Sequence, residues 1–147
     1  IIIVGHEHKI IKNLIFNKDI KILENMNYRK GIGTSIALGM NNIDTDIDGV
    51  MIIPADMPYI NSKDLINLEK KFMEHNCVKV VMPEHNYRIG NPVILPRNYF
   101  KTLKSLKDDF GARSLIRKKD IITLKSEFGT IFDIDTKEEL VETKTNY

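Results

Sequence analysis

A single cysteine, Cys77, leaves this chain without an internal disulfide and without the thiolates of a structural metal cluster. That scarcity suits a reducing compartment, and a cytoplasmic location is expected. No apolar run approaches the roughly 20 residues of a membrane span. The opening Ile-Ile-Ile-Val passes at once into Gly5-His6-Glu7-His8-Lys9, too short for the apolar stretch of a signal peptide, so no membrane partner is expected. Charge of one sign is also lacking: 22 Lys and Arg face 20 Asp and Glu, for a net +2. With no basic stripe beside that near-balance, electrostatic capture of nucleic acid is not expected. Repeats, linkers and low-complexity stretches are missing too, and 147 residues suffice for one core, so residues 1–147 are read as one domain. The chain does not begin with Met. It opens as if inside a β-strand, and an upstream segment is expected, which would make the domain partial.

What is present alternates between two periods. Residues 1–4 form a continuous β-branched run, and residues 6–16 carry Ile10, Ile11, Leu14 and Ile15 at helical spacing. A second strand is expected at 20–23, a polar loop at 25–33 and a short helix at 34–40. Residues 49–54, Gly-Val-Met-Ile-Ile-Pro, are the most apolar segment and read as a central strand. Ser62 is placed to cap a helix running to about residue 75, followed by a strand at 78–82. Then come a hairpin or loop at 84–91, a short strand at 92–95, and helices at 98–106, with Phe100, Leu103 and Leu106 inward, and at 111–117. Strands at 121–124 and 130–134 precede a last helix capped by Thr136, with Glu138 and Glu139 in its first turn. This order implies an α/β fold with a three-layer, mainly parallel, Rossmann-like sheet.

In such sheets ligands bind beyond the carboxyl ends of the strands, so the polar residues that follow each strand carry the candidates. Asp56, in Ala55-Asp56-Met57-Pro58, follows the most apolar strand, where one carboxylate can begin a Mg²⁺ site or can simply cap a turn. Asp133 and Asp135 flank Ile134 and alternate to the same side; Asp135 is either ligand or helix cap. Gly31-Ile32-Gly33-Thr34-Ser35 opens a helix, where N–H groups favour an anion or a polar base edge, or where the chain merely turns tightly. It is neither a P-loop, since no Gly-Lys-Ser/Thr follows, nor a dinucleotide fingerprint, since Ile36 stands in the third glycine's place. Lesser candidates are Asn91 before Pro92, Asp109, and Arg113, which can meet a phosphate or pair with Asp109. The four histidines lack metal-ligand spacing apart from His6 and His8, which read as a solvated loop.

Taken in order, these segments resemble the molybdenum cofactor cytidylyltransferases and their relatives among the MobA-like nucleotidyltransferases, from about Ile1 to Leu140. The family's Asn, Gly-Met-Ser-Ser-Ser-Leu and Gly-Leu are similar to Asn25, Gly31-Ile32-Gly33-Thr34-Ser35-Ile36 and Gly39-Met40. Its Asp-Met/Gln-Pro turn resembles Asp56-Met57-Pro58, and its Arg-Gly-His/Asn-Pro-Val segment resembles Ile89-Gly90-Asn91-Pro92-Val93. Gly-Asp-x-Gly-Ala-Arg corresponds to residues 108–113 and Asp-Ile-Asp-Thr-Pro-Glu-Asp to residues 133–139. Three positions depart from the pattern: Ile89 stands for Arg, Asp108 for Gly and Lys137 for Pro. The family's opening Leu-Ala-Ala-Gly loop, with its Arg and Lys, has no counterpart, and residues 1–4 correspond to the family's second strand.

The resemblance implies transfer of a nucleotidyl group from CTP, with GTP as the sibling alternative, to the terminal phosphate of molybdopterin, with release of pyrophosphate. Asp56 and Asp135 would hold Mg²⁺, with Asp133 as substitute should Asp135 be only a cap. Gly31, Gly33, Thr34 and Ser35 would face the base or ribose, and Asn91, Asp109 and Arg113 the acceptor, with a molybdoenzyme as a further partner. Without the missing loop the chain by itself is expected to bind nucleoside triphosphate weakly, to transfer nothing, and to expose the edge of residues 49–54. Two rivals remain. A receiver-type signalling domain would need an acidic pair after the first strand, which Val4-Gly5-His6 does not supply; a non-catalytic remnant would keep only the fold.

Overall fold

The computed structural model describes residues 1–16 and 19–145, and the side chains of 142–145 lie outside that description. In chain order its elements are β1 (Ile2–Val4), α1 (His8–Leu14), β2 (Ile22–Glu24), α2 (Ile32–Met40), β3 (Gly49–Ile52) and α3 (Ser62–Glu74). They continue with β4 (Val80–His85), β5 (Arg88–Ile89), β6 (Val93–Pro96), α4 (Phe100–Leu103), β7 (Ile121–Lys125) and α5 (Lys137–Thr145). The fold is mixed α/β, as expected. The chain divides into two compact units, Ile1–Ile47 with Asn98–Arg117, and Asp48–Arg97 with Lys118–Tyr147.

In the first unit β1 and β2 pair in parallel, Ile2 opposite Ile22 and Val4 opposite Glu24, and the Asn25 N–H extends the ladder to the Val4 carbonyl at 2.7 Å. Helix α2 packs on β1, and Gly39 leaves room there for the Ile3 side chain at 3.4 Å. Val4, Met40, Tyr99, Leu103, Leu106 and Ala112 are the buried apolar residues of this unit. The helix expected at 98–106 shortens to a 3₁₀ turn, Arg97–Tyr99, followed by α4; Leu103 and Leu106 still point inward. The one expected at 111–117 is a single 3₁₀ turn, Ala112–Leu115.

The second unit holds a five-stranded sheet in which β4 is the hub. It pairs in parallel with β7 over five positions, touches β6 at Val81 opposite Ile94, and turns back on itself as a hairpin with β5. Strands on both sides explain why Val80 to Pro83 are buried as a continuous run. The hairpin turns through Asn86 and Tyr87, both at positive φ (47° and 64°), the mark of a two-residue type I′ loop. Helix α3 is capped by Asn61, not by Ser62: Asn61 Oδ1 accepts from the Asp64 N–H and Asp64 Oδ2 accepts from the Asn61 N–H, a reciprocal capping box. It turns Leu68 and Phe72 onto Val81 and Ile94, the centre of the core, and Gly49 leaves the space into which the Phe72 ring fits.

Three expectations change here. The sheet is mixed, because β6 runs antiparallel to both β3 and β4. Strand β3 is not central among the described residues: it pairs with β6 alone, and its residues are only half-buried. Residues 130–134 form no strand. A 3₁₀ turn, Phe128–Thr130, leads into them, and their backbone bonds go singly to loops, Asn91 N–H to the Thr130 carbonyl (2.8 Å) and Ile134 N–H to the Asp56 carbonyl (2.9 Å).

Candidate functional site

The glycine-containing loop of the first unit has a partner within the chain. Gly31 has φ 107°, and a Cβ there would fall on the backbone of Asp108 and Asp109. At Gly33 a Cβ would meet the carbonyl oxygens of Lys107 (2.7 Å), Phe110 (2.8 Å) and Asp108 (2.9 Å), and the Gly33 N–H donates to the Asp108 carbonyl at 3.0 Å. Both glycines therefore admit the 107–110 turn, and one N–H at the mouth of α2 is already engaged. The sequence pattern left the glycines open to a ligand or to a tight turn; their demonstrable steric reason is this approach of backbone to backbone.

The approach also brings Gly31 and Gly33 beside Asp109, whose side chain is exposed. No ion pair joins Asp109 to Arg113 among the described residues; Arg113 is exposed in the turn Ala112–Leu115. Asp108, which stands where the family has glycine, sits at φ 53°, the left-handed region that an L side chain resists by roughly 1–2 kcal/mol. Part of that cost is offset by the greater backbone entropy glycine would lose on folding. Asp108→Gly should therefore raise the unfolding free energy by up to about 1 kcal/mol. A urea midpoint equal to or below that of the parent would contradict this.

A residue that spacing alone did not single out controls the same loop. Asn25 follows β2, is 5% exposed, and has every polar position in use. Its Nδ2 donates to Thr34 Oγ1 (2.8 Å) and to Ser35 Oγ (2.9 Å), while its Oδ1 accepts from the Asn27 N–H (2.9 Å). Thr34 in turn donates back to the Gly31 carbonyl at 2.9 Å. The available signal was a polar side chain immediately after a strand of an α/β sheet.

In the second unit the segment 126–136 ties the hairpin to the turn after β3. His85 Nδ1 lies 2.8 Å from the Ser126 carbonyl, Gly90 packs on the Thr130 carbonyl, and Ile134 bonds to Asp56. The last contact sets Asp56 beside the backbone between Asp133 and Asp135. All three carboxylates are exposed and have no hydrogen-bond or ion partner among the described residues. Asp56 therefore caps no turn. Asp135 caps no helix either: Thr136 Oγ1 accepts from the Glu139 N–H, and Glu139 Oε2 accepts from the N–H groups of Asp135 (2.8 Å) and Thr136 (2.9 Å). Those two N–H groups hold the Glu139 carboxyl below the ordinary glutamate range. Lys137 occupies the first position of α5, where an N–H has no intrahelical acceptor, so the family's proline is dispensable there.

The Asn91 N–H is fixed on Thr130, and its half-buried side-chain amide makes no hydrogen bond among the described residues. Tyr59, Phe128 and Phe132 form an aromatic group, with centroids 5.2 Å apart for Tyr59–Phe132 and for Phe128–Phe132, and His85 lies edge-on to Phe128 at 6.2 Å. These rings, scattered in sequence, gave no pattern to find. Among the described residues no three or more His, Cys, Asp or Glu side chains are grouped as a metal site. A few carboxylates completed by water and phosphate oxygens are nonetheless what Mg²⁺ takes. Asp56, Asp133 and Asp135 are carboxylates of that chemical type, but among the described residues they do not come together as a group of three.

The model of the MobA-like NTP transferase domain matches residues 1–122. No curated protein matches the chain significantly. Among solved structures, the manganese complex of Rv0371c from Mycobacterium tuberculosis H37Rv superposes with a TM-score of 0.80 at 13% identity, over 99% of this chain and 76% of that one. The 4-diphosphocytidyl-2C-methyl-D-erythritol synthase of Anaerococcus prevotii DSM 20548 gives 0.71 at 14% identity, over 98% and 77%. The molybdopterin-guanine dinucleotide biosynthesis protein A of Archaeoglobus fulgidus gives 0.57 at 15% identity, over 99% and 79%. At these identities the structural likeness speaks for the fold alone. No helix among the described residues is long and apolar enough to cross a membrane.

Proposed function

This chain belongs to the MobA-like NTP transferase family, and from that premise we propose that a catalytically active form of the protein transfers a cytidylyl group from CTP to the terminal phosphate of molybdopterin. An acceptor phosphate oxygen attacks the α-phosphorus in line, the new P–O bond forms as the α–β anhydride breaks, and pyrophosphate leaves. Such a reaction depends on positioning and on neutralising charge. Asp56 and Asp135 would hold Mg²⁺, and Asp133 is the substitute; when bound, the ion offsets the repulsion among phosphate oxygens. The observation that carries this assignment is the bond from the Ile134 N–H to the Asp56 carbonyl, beside carboxylates that serve no structural partner. In the first unit Gly31, Gly33, Thr34 and Ser35 take the base or ribose. Asn91, Asp109 and Arg113 serve the acceptor.

GTP is the alternative nucleotide. The neighbours whose names carry a nucleotide include one diphosphocytidyl synthase and one guanine dinucleotide protein, so a direct comparison is required. Titrating CTP and GTP with Mg²⁺ into the chain, followed by amide chemical shifts, reads affinities into the millimolar range. Shifts in residues 31–35 that are larger for CTP are expected. Larger shifts with GTP would transfer the assignment to a guanylyltransferase, and none with either nucleotide would leave a non-catalytic remnant of the fold.

A further inference from the structure

Strands β3 and β4 both run antiparallel to β6, and β7 runs parallel to β4, so the second unit has one edge at which all three of these strands end. His85 closes β4 there. Tyr59 follows β3, and Phe128 and Phe132 follow β7. In the group that these rings form, Tyr59 and Phe132 are half-buried, whereas Phe128 is left 49% exposed. An aromatic ring that stays half open beside other rings is a surface on which one more flat ring stacks favourably. Tyr59 lies three residues after Asp56 and Phe132 adjoins Asp133, so the group borders the segments that carry the candidate carboxylates.

His85 adds a polar group whose role is fixed. The Ser126 carbonyl only accepts, so the imidazole nitrogen 2.8 Å from it, Nδ1, holds the proton. In the neutral ring Nε2 is then an acceptor, and it has no hydrogen-bond partner among the described residues. The imidazole stands edge-on to Phe128 with centroids 6.2 Å apart, so a ring laid on Phe128 has this acceptor at its rim. Stacking alone takes any flat ring. A fixed acceptor selects one that presents an N–H.

We infer that Phe128 and His85 form a subsite for the ring end of the acceptor, a flat heteroaromatic ring bearing N–H donors, with Phe128 as the stacking surface and His85 Nε2 as the atom that sets specificity. That the ring belongs to the acceptor rests on the nucleotidyl-transfer reading; the chemistry of the ring rests on these side chains.

Pterin, a flat bicycle with amino and ring N–H groups, is the probe, and dimethyllumazine, a related bicycle whose N–H groups are replaced by N-methyl, is the control. The chain has no tryptophan, so the fluorescence of either probe is read cleanly as the full chain is added. His85→Asn keeps an N–H where Nδ1 was, for the Ser126 carbonyl, and puts nothing in place of Nε2. It should weaken pterin about tenfold, the ordinary worth of one well-placed hydrogen bond, and leave dimethyllumazine unchanged. Phe128→Leu keeps apolar bulk but removes the ring face, and should weaken both probes by about three- to tenfold. Pterin binding to His85→Asn at parental strength, an equal loss of both probes in that variant, or no pterin binding to the parent at millimolar concentration overturns the inference. Displacement of pterin by CTP would give the subsite to the nucleobase and overturn it too. The expected pterin pattern in a chain that responds to neither CTP nor GTP would instead refute the nucleotidyl-transfer reading and leave a ring site without an acceptor role.

Discussion

Asp56→Asn should lower turnover by at least roughly 10²-fold in a catalytically active form of the protein, while its unfolding midpoint stays where it was. The size follows from the loss of one fixed electrostatic contact in a reaction that depends on charge neutralisation. The unchanged stability follows from the geometry: the Asp56 carboxylate is exposed and bonded to nothing among the described residues, and surface changes of that kind stay within about 0.5 kcal/mol. A residue that only closed the turn before Pro58 would give the reverse pattern. Pyrophosphate release over a Mg²⁺ series, paired with thermal unfolding, separates the two. Parental turnover at saturating Mg²⁺ would return Asp56 to a turn residue. The same assay on Asp133→Asn and Asp135→Asn identifies the second ligand, since neither carboxylate is occupied by the cap of α5.

Gly90→Ala should destabilise the chain by at least about 2–3 kcal/mol, a large share of the 5–15 kcal/mol typical of a folded domain. A methyl group at Gly90 would land on the Thr130 carbonyl oxygen and within 2.9 Å of Ile131 Cγ2. The obstacle is backbone, already fixed by the Asn91 N–H, so no side chain can swing aside. The segment that must yield leads directly to Asp133 and Asp135, and nucleotidyl transfer should fall as well. Gly111→Ala is the matched control. Its new methyl would meet only Ile32 Cγ2, at 3.9 Å, and its φ of −72° suits any residue, so its stability should equal the parent's or exceed it slightly. Equal unfolding midpoints for Gly90→Ala and Gly111→Ala would show that the 130–134 segment moves freely, contrary to the packing described above.

Several features were legible in the residues because they depend on near neighbours. The strand expected at 78–82, found at Val80–His85, the hairpin or loop expected at 84–91, found as a hairpin turning at Asn86 and Tyr87, and the Thr136 cap are local patterns. Asn61-x-x-Asp64 was equally readable as a capping box, yet Ser62 was the more conspicuous candidate; two adjacent cap-formers compete, and the aspartate three residues after Asn61 decides between them. Alternation at 130–134 resembled a strand, but alternation does not supply a ladder partner, and the neighbours of this segment are the loops around Asn91 and Asp56.

By itself, then, the sequence determined the α/β class and the order of motifs that matches one family. Tertiary structure alone decided that β6 runs against its neighbours, that β3 pairs on one side among the described residues, and that Gly31 and Gly33 receive the 107–110 turn. It alone placed Ile134 on Asp56 and turned Asn25 toward Ser35. Periodicity and caps are encoded over a few residues. Strand direction, close backbone approach and the partner of a buried amide depend on segments tens of residues apart, whose meeting is fixed only when the whole core packs.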